Sequence, residues 1–333
     1  MTNYTLFKLC FTAPLHLAKG KTDYDSAEDM LHSDALKSAL AVCGLQLGLL
    51  TDVMAFLESF KISSAFPFFK ETYFFPKPNF LDGEKSMHRI TGMEEAKQRK
   101  LVKKIKWVEK ALFEDLISSK VKAFHEDYFN GAFLSNLPKD TQIYKSETQE
   151  RVQIPRVMGE GEDTKPYYVD RLYFHEHAGL FFLLDTQDEK IVKQIESCLK
   201  LLGDNGLGTD RNVGNGQFVV EKVEDFNLPE VPNANAKINL SLYCPLKEEL
   251  EAIKNDTKVL AYTLLKRGGW IASPQNLDHI SLRKKSVFMF GEGSIFPSVG
   301  LAGKIADLKP DILKNEHEIF RDGTSIFLPI AIK

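Results

Sequence analysis

Four glycines within eleven residues constrain this chain more than any other feature. Gly206, Gly208, Gly214 and Gly216 stand in the spacing G-x-G-x5-G-x-G, inside the stretch Gly206–Phe218. Glycine permits positive φ and puts no Cβ in the way of a closely approaching group. A loop built this way can turn backbone N–H groups outward to cradle an anion, or it can be a long turn with left-handed corners. Upstream, Ile191, Val192, Ile195, Leu199 and Leu202 recur at helical spacing over 186–202; downstream, 218–223 alternates as a strand. The order helix, glycine loop, strand excludes a dinucleotide-binding fingerprint, which follows a strand and opens a helix. It excludes a P-loop as well, because Gly216 is followed by Gln217 and Phe218.

The rest of the chain alternates strand and helix signals. Over Tyr4–Phe11, Leu6, Lys8 and Cys10 face one way and Phe7, Leu9 and Phe11 the other. A loop with Pro14, His16 and Gly20 follows. Ser33 is placed to cap a helix starting near Asp34, with Leu36, Ala39, Leu40 and Cys43 as its buried stripe. Helical spacing returns over 52–60 and 93–116, and the basic run from Lys97 to Lys106 reads as a solvated face. Pro76 and Pro78 hold their segment extended. Strands are predicted at 141–144, 151–157 and 166–174, the last two forming a protruding hairpin with a polar tip at 159–165, and again at 179–185. Phe226–Ala236, with Pro229 and Pro232, is the linker candidate. Beyond it come a strand at 237–244, a helix at 245–254, a strand at 259–266, a tight reversal at Gly268-Gly269-Trp270, and strands at 285–290 and 326–332.

This order predicts an α+β chain of two ferredoxin-like (RRM-type) domains. The first, 1–225, carries a helical insertion, the hairpin at about 151–174 and the glycine loop at 206–216; the second spans 236–333. The 333 residues suffice for two domains, and 43% hydrophobic with 27% charged residues is a globular balance. The net charge of −3 means that a polyanion must be met by a local patch, not by a general field. Cys10, Cys43, Cys198 and Cys244 are scattered without a C-x-x-C pair, which suits reduced, buried thiols in a cytoplasmic protein. The start of the chain lacks a signal-peptide pattern, and no apolar run reaches the roughly eighteen residues of a membrane span.

Catalytic chemistry is hard to find. The eight histidines fall in no metal-ligand spacing, and there is no G-x-S-x-G elbow or carboxylate dyad, so neither metal nor cofactor is expected. His16, in a loop near glycine and lysines, could act as general base in RNA cleavage; the plainer reading is that it contacts RNA or packs.

The glycine loop of Gly206, Gly208, Gly214 and Gly216 between a helix and a strand, in a ferredoxin-like context, resembles the signature of the RAMP proteins of CRISPR systems, and other stretches narrow the resemblance to the Csm subunit four family. Leu15-His16-Leu17 and then His32-Ser33-Asp34-Ala35-Leu36-Lys37-Ser38-Ala39-Leu40 resemble its HSD-x-L-x-S-A-L segment. Ser63-Ser64-Ala65-Phe66-Pro67 and Tyr73-Phe74-Phe75-Pro76-Lys77-Pro78 are similar to its SS-x-FP and YF-x-PKP elements. Ile154-Pro155-Arg156 and Pro166-Tyr167-Tyr168-Val169 occupy the place of its hairpin, with Pro155 where the family carries an acidic residue. Arg267-Gly268-Gly269-Trp270 resembles a late element around GGW, and Gly291–Phe296 its EGS-x-F.

The resemblance implies a noncatalytic RNA-binding subunit of a type III-A (Csm) effector ribonucleoprotein in antiviral defence. Such a subunit grips the 5′ tag of crRNA and has the large polymerase-like Csm subunit and the backbone RAMP subunit as partners, with no membrane involved. RNA-binding residues expected on this reading are His16, Lys19, Ser33, Lys37, Arg151, Arg156, Gly206, Gly208, Arg211, Gly214, Gly216 and Arg267. Single-stranded RNA is held through phosphates and stacked bases, and Arg211 puts a cation inside the glycine loop. The alternatives are a RAMP-fold endoribonuclease that processes precursor crRNA with His16 as general base, and a scaffold that touches protein only.

Overall fold

The computed structural model describes residues 2–18, 24–82, 89–90, 94–120, 123–153, 165–256, 260–271, 282–313 and 318–332. Its centre is an antiparallel sheet in which Phe218–Leu228, Thr2–Phe11, Ala178–Asp185 and Phe66–Phe69 lie side by side in that spatial order. Along the chain these strands alternate with helices Ser33–Gln46 and Glu189–Asn205, which contact each other. The sheet continues through Thr72–Pro76, Trp107–Glu109, Phe133–Leu134 and Phe129–Asn130.

Strand alternation sorts the core into two layers. Phe7 and Leu9 enter the layer beneath the two helices, with Leu36, Leu40, Ile195 and Leu199. Tyr4 and Leu6 enter the layer on the other face. Ala178–Asp185 is covered on both sides, which explains its unbroken apolar run: Leu180, Phe182 and Leu184 face the helices, while Phe181 and Leu183 face away. The second layer is aromatic, with Phe75 and Phe113 stacked at 4.8 Å. It runs on into the C-terminal half through Ile238, Leu240, Leu328 and Ile330, so the halves share one core.

The helix expected over 93–116 is two helices, Glu95–Lys104 and Lys110–Ile117, separated by the strand Trp107–Glu109. That strand pairs with Thr72–Pro76 and with Phe133–Leu134, burying Trp107 and Val108; sheet pairing outweighs the local helical spacing. The hairpin is longer than expected: Tyr144–Gln153 pairs with Lys165–Phe174 from end to end, so the segment at 141–144 leads straight into it. Its tip, with Ile154-Pro155-Arg156 and 159–164, lies outside the described residues.

In the C-terminal half, Ala236–Asn239 is flanked by Ile295–Pro297 and Phe327–Ile330 in a three-stranded antiparallel sheet. Helix Lys247–Asn255 follows the first of these strands. Gly268-Gly269-Trp270 is not a tight reversal. Leu264–Arg267 pairs with the distant Val287–Phe290, and a bridge between Trp270 and Arg283 carries the pairing further. Phe218–Leu228 runs past residue 225, and Val231 in the crossing segment is buried in the shared core. Among the described residues no helix is long and apolar enough to cross a membrane.

Candidate nucleic-acid interface

Helix Glu189–Asn205 starts at Asp188, whose Oδ1 accepts from Lys190 N–H at 2.8 Å, and ends at Gly206. All four loop glycines have positive φ: 78° at Gly206, 93° at Gly208, 83° at Gly214 and 73° at Gly216. Three of them lack room for a side chain. A Cβ would collide with the Asn215 carbonyl at Gly206, with the His16 carbonyl at Gly208 and with the Leu207 carbonyl at Gly216. Several loop amides are used within the chain: Leu207 N–H donates to Gly216 O at 2.9 Å, Thr209 N–H to His16 O at 3.2 Å, and Gly216 N–H to Pro14 O at 2.8 Å. The close approaches that demand glycine at these three positions are therefore to the chain's own backbone. Gly214 alone of the four opens into free space. It ends a short turn, Arg211–Val213, whose residues are all exposed, so Arg211 stands on the crest of the loop.

The flank of the loop is tied to the hairpin stem. Arg171 donates to the Asp210 carboxylate through Nη2 and to Gln149 Oε1 through Nη1 at 2.8 Å. Arg151 Nη1 lies 3.4 Å from Asp210 Oδ2. Arg151 thus faces the loop as an ion-pair partner, and Arg171, which sequence reasoning missed, is the more buried of the two. Nothing local marks Arg171: its carboxylate lies across the fold. Tyr168 on the same stem is 52% exposed and Val152 53%.

His16 is fully buried. Its Nδ1 is 2.5 Å from the Asp170 carbonyl oxygen and can donate to it. The ring is packed inside, which corrects the expectation of a direct RNA contact. Ser33 and Lys37 are corrected in the same way, each being fully buried. Helix Ser33–Gln46 has His32 at its N-cap, without a side-chain cap bond. The Ser33 hydroxyl instead accepts from Leu242 N–H at 3.0 Å, and the Ser33 N–H donates to Ser64 Oγ at 2.8 Å. Lys37 donates to Phe60 O at 2.9 Å and Thr324 Oγ1 at 3.2 Å, and pairs with Asp322 at 3.2 Å. Lys19 and Arg156 lie outside the described residues.

Arg267 belongs to the same buried seam. Its guanidinium donates to both oxygens of Asp34, which Arg321 also contacts. Nearby, His32 Nδ1 lies 2.9 Å from Glu292 Oε1 and Nε2 lies 3.4 Å from Glu28 Oε2, while the Ser64 hydroxyl donates to Glu292. Four of the stretches that carry the resemblance, around residues 32–40, 63–67, 267–270 and 291–296, thus meet where the two halves join. Burial works to raise the Asp34 carboxyl, but Arg267 and Arg321 more than offset it and hold its pKa low. Burial likewise works to lower the His32 imidazolium, yet Glu292 and Glu28 raise it to about 10. Lys37 and Asp322 are both pushed toward their neutral forms, burial outweighing their mutual attraction.

Between seam and loop lies a cavity of 260 Å³, lined among others by Leu17, His32, Gly208, Arg211 and Arg267. Arg211 lines it from the exposed crest, Arg267 from the seam with its guanidinium held by Asp34, and Glu28 adds a carboxylate among several apolar side chains. Among the described residues no group of three or more His, Cys, Asp or Glu could hold a metal ion.

Residues 232–330 match the family described as CRISPR Csm4 C-terminal domain. A Methanocaldococcus jannaschii protein named CRISPR system Cms protein Csm4 is 29% identical over 186 residues, 50% of this chain and 48% of that protein. The chain thus spans about half the length of that relative. A Thermococcus onnurineus protein of the same name is 28% identical over 249 residues, 73% of this chain and 72% of that one. Among solved structures, a chain of a Csm1-Csm4 cassette in complex with cA4 superposes with a TM-score of 0.64 at 19% identity, covering 100% of this chain and 99% of that one. A chain of a Csm3-Csm4 subcomplex from the type III-A CRISPR-Cas interference complex also gives 0.64 at 19% identity, covering 99% and 100%. At such identity the likeness speaks to the fold.

Proposed function

We propose that this chain, which belongs to the Csm4 family, is a noncatalytic RNA-binding subunit of a type III-A CRISPR effector ribonucleoprotein that holds the 5′ tag of crRNA. The observation that carries the reading is the exposed Arg211 crest, set beside the hairpin stem and over a cavity that Arg267 also lines. Cations for phosphates and the exposed ring of Tyr168 for stacking are the two elements that grip single-stranded RNA. Its partners on this reading are the large polymerase-like subunit and the backbone RAMP subunit, in line with the subcomplexes whose chains share this fold. A ferredoxin-like N-terminal half is supported by the antiparallel order of its four central strands. Burial of His16 counts against the alternative of an endoribonuclease with that residue as general base.

The test is filter binding of the purified chain to crRNA with and without its 5′ tag, alongside copurification with the other Csm subunits. Tag-dependent affinity without strand cleavage is expected. Equal affinity for both RNAs removes the tag role. Cleavage lost in His16→Ala favours the nuclease, and no RNA affinity with intact copurification favours a scaffold.

A further inference from the structure

The C-terminal half carries an exposed ribbon face of apolar and aromatic side chains beside a lysine. Leu264–Arg267 and Val287–Phe290 form a two-stranded antiparallel ribbon. Directly opposed residues share a face, so Lys266 and Phe288 stand side by side, with Leu264 on the same face of its strand. This face is turned to solvent: Phe288 is 62% exposed, Leu264 50%, and Lys266 is exposed too. Tyr262, 48% exposed, extends the patch and sets its ring edge-on to Phe290 at 5.1 Å. Single surface hydrophobics are ordinary, but an aromatic and aliphatic cluster on one ribbon face marks a binding surface.

Charge selects the occupant. The ribbon arms 262–270 and 283–290 contain Lys266, Arg267, Arg283, Lys284 and Lys285 and no Asp or Glu, in a chain of net charge −3. Arg267 is committed to Asp34, Lys284 is half-buried and pushed toward its neutral form by burial and by Arg321, and Lys285 meets Asp311 in an exposed pair at 2.8 Å that is worth little, which leaves Lys266 and Arg283 as the ready cations. Arg283 lies over the Trp270 ring at 4.8 Å, a flat cationic platform at the ribbon's far end. An apolar protein surface would match Phe288 and Leu264 and leave the cations unanswered. Single-stranded RNA answers both, offering π-faces to the rings and phosphates to the cations. Arg267, next along the strand and on its opposite face, lines the cavity shared with Gly208 and Arg211, so the ribbon runs past that cavity with its outer face turned away.

We infer that the outer face of this ribbon, formed by Tyr262, Leu264, Lys266 and Phe288, is a second contact for single-stranded RNA, stacking bases on its rings without sequence preference. The inference rests on the reading of the chain as an RNA-binding subunit, and the experiment separates the two. Full-length Phe288→Ala, Lys266→Ala and Arg211→Ala are compared with wild type for binding of crRNA and of a fluorescein-labelled oligouridylate, at two salt concentrations. Loss of one stacked base in Phe288→Ala should weaken binding about five- to hundredfold. Lys266→Ala should flatten the log–log salt dependence by about 0.7. Thermal midpoints should not move, because both side chains are exposed. Ribbon variants that bind like wild type while Arg211→Ala is weakened would overturn the inference and leave the RNA reading standing. Wild type that binds neither RNA overturns both. Ribbon variants that keep RNA affinity but lose a protein subunit make the ribbon a protein contact and overturn the inference alone.

Discussion

Asp34 receives both arms of Arg267, Nε on Oδ2 and Nη2 on Oδ1, each at 2.9 Å, although 233 positions separate the two residues. The carboxylate lies in the first turn of helix Ser33–Gln46, where a negative charge also favours the helix terminus, and it is fully buried. Arg321 donates to it from another part of the C-terminal half. The first helix of the N-terminal half is thereby fastened to two separate segments of the other half.

Removing that charge should be costly. Asp34→Asn leaves two guanidinium groups facing a neutral amide, and breaking a buried pair from one side costs about 3–5 kcal/mol. The urea midpoint should fall accordingly in a chain that still folds. A midpoint within the error of wild type would mean that the seam does not hold the halves together.

His32 gives the seam a pH signature. Its imidazolium is raised from 6.5 to about 10 in the fold by Glu292 and Glu28, burial notwithstanding. A group raised on folding contributes its stability in full below its unfolded pKa and loses it as pH rises through the folded one. The native state holds one proton more than the unfolded state between about 6.5 and 10, so this contribution should decline across that window. His32→Gln should therefore be most damaging near pH 6, and its deficit against wild type should shrink toward pH 10. Urea titrations at several pH values check this; a deficit constant with pH would show that folding does not shift the His32 pKa. Asp34 runs oppositely: held low by its arginines, it keeps its contribution above its unfolded pKa and loses it on acidification.

The loop glycines should divide into two kinds. Gly208→Ala sets a Cβ against the His16 carbonyl, and Gly216→Ala sets one against the Leu207 carbonyl, so both should loosen the loop and lower the thermal midpoint. Gly214 opens into free space in the left-handed region, φ 83° and ψ 20°, which asparagine visits readily. Gly214→Asn should keep both fold and midpoint. Equal losses at Gly208 and Gly214, read by melting and by amide exchange, would contradict this division.

Much of this architecture was legible in the sequence because its cause is local. The alternation of Thr2–Phe11 and the doubly buried run of Ala178–Asp185 follow from side-chain period and burial, and both stand in the sheet as that pattern predicts. The misread helix over 93–116 failed because the pairing of Trp107–Glu109 is set by strands distant in sequence. The candidate site was harder for the same reason. Sequence shows that Lys37, Arg267 and Ser33 are polar but not that Asp322, Asp34 and Leu242 wait for them inside the fold. A charged residue reads as a ligand contact until its internal partner is known, and these partners lie in the other half of the chain.

Arg211 differs from those residues in being exposed on the crest of its loop. If it meets a phosphate of crRNA, Arg211→Ala removes one charge-assisted hydrogen bond, about 1.5–3 kcal/mol or roughly a ten- to hundredfold loss of affinity. One fewer neutralised phosphate should also lower the log–log salt slope by about 0.7 for a single strand. The loop should survive, since its closing contacts are the backbone bonds of Leu207, Thr209 and Gly216 and the Asp210–Arg171 pair, none of which involves the Arg211 side chain. Binding of tagged crRNA at two salt concentrations, with circular dichroism as the folding control, measures both effects. A folded Arg211→Ala protein with unchanged affinity and unchanged slope takes Arg211 out of the interface. The exposed rings of the hairpin stem and the ribbon would then be left to account for any RNA affinity.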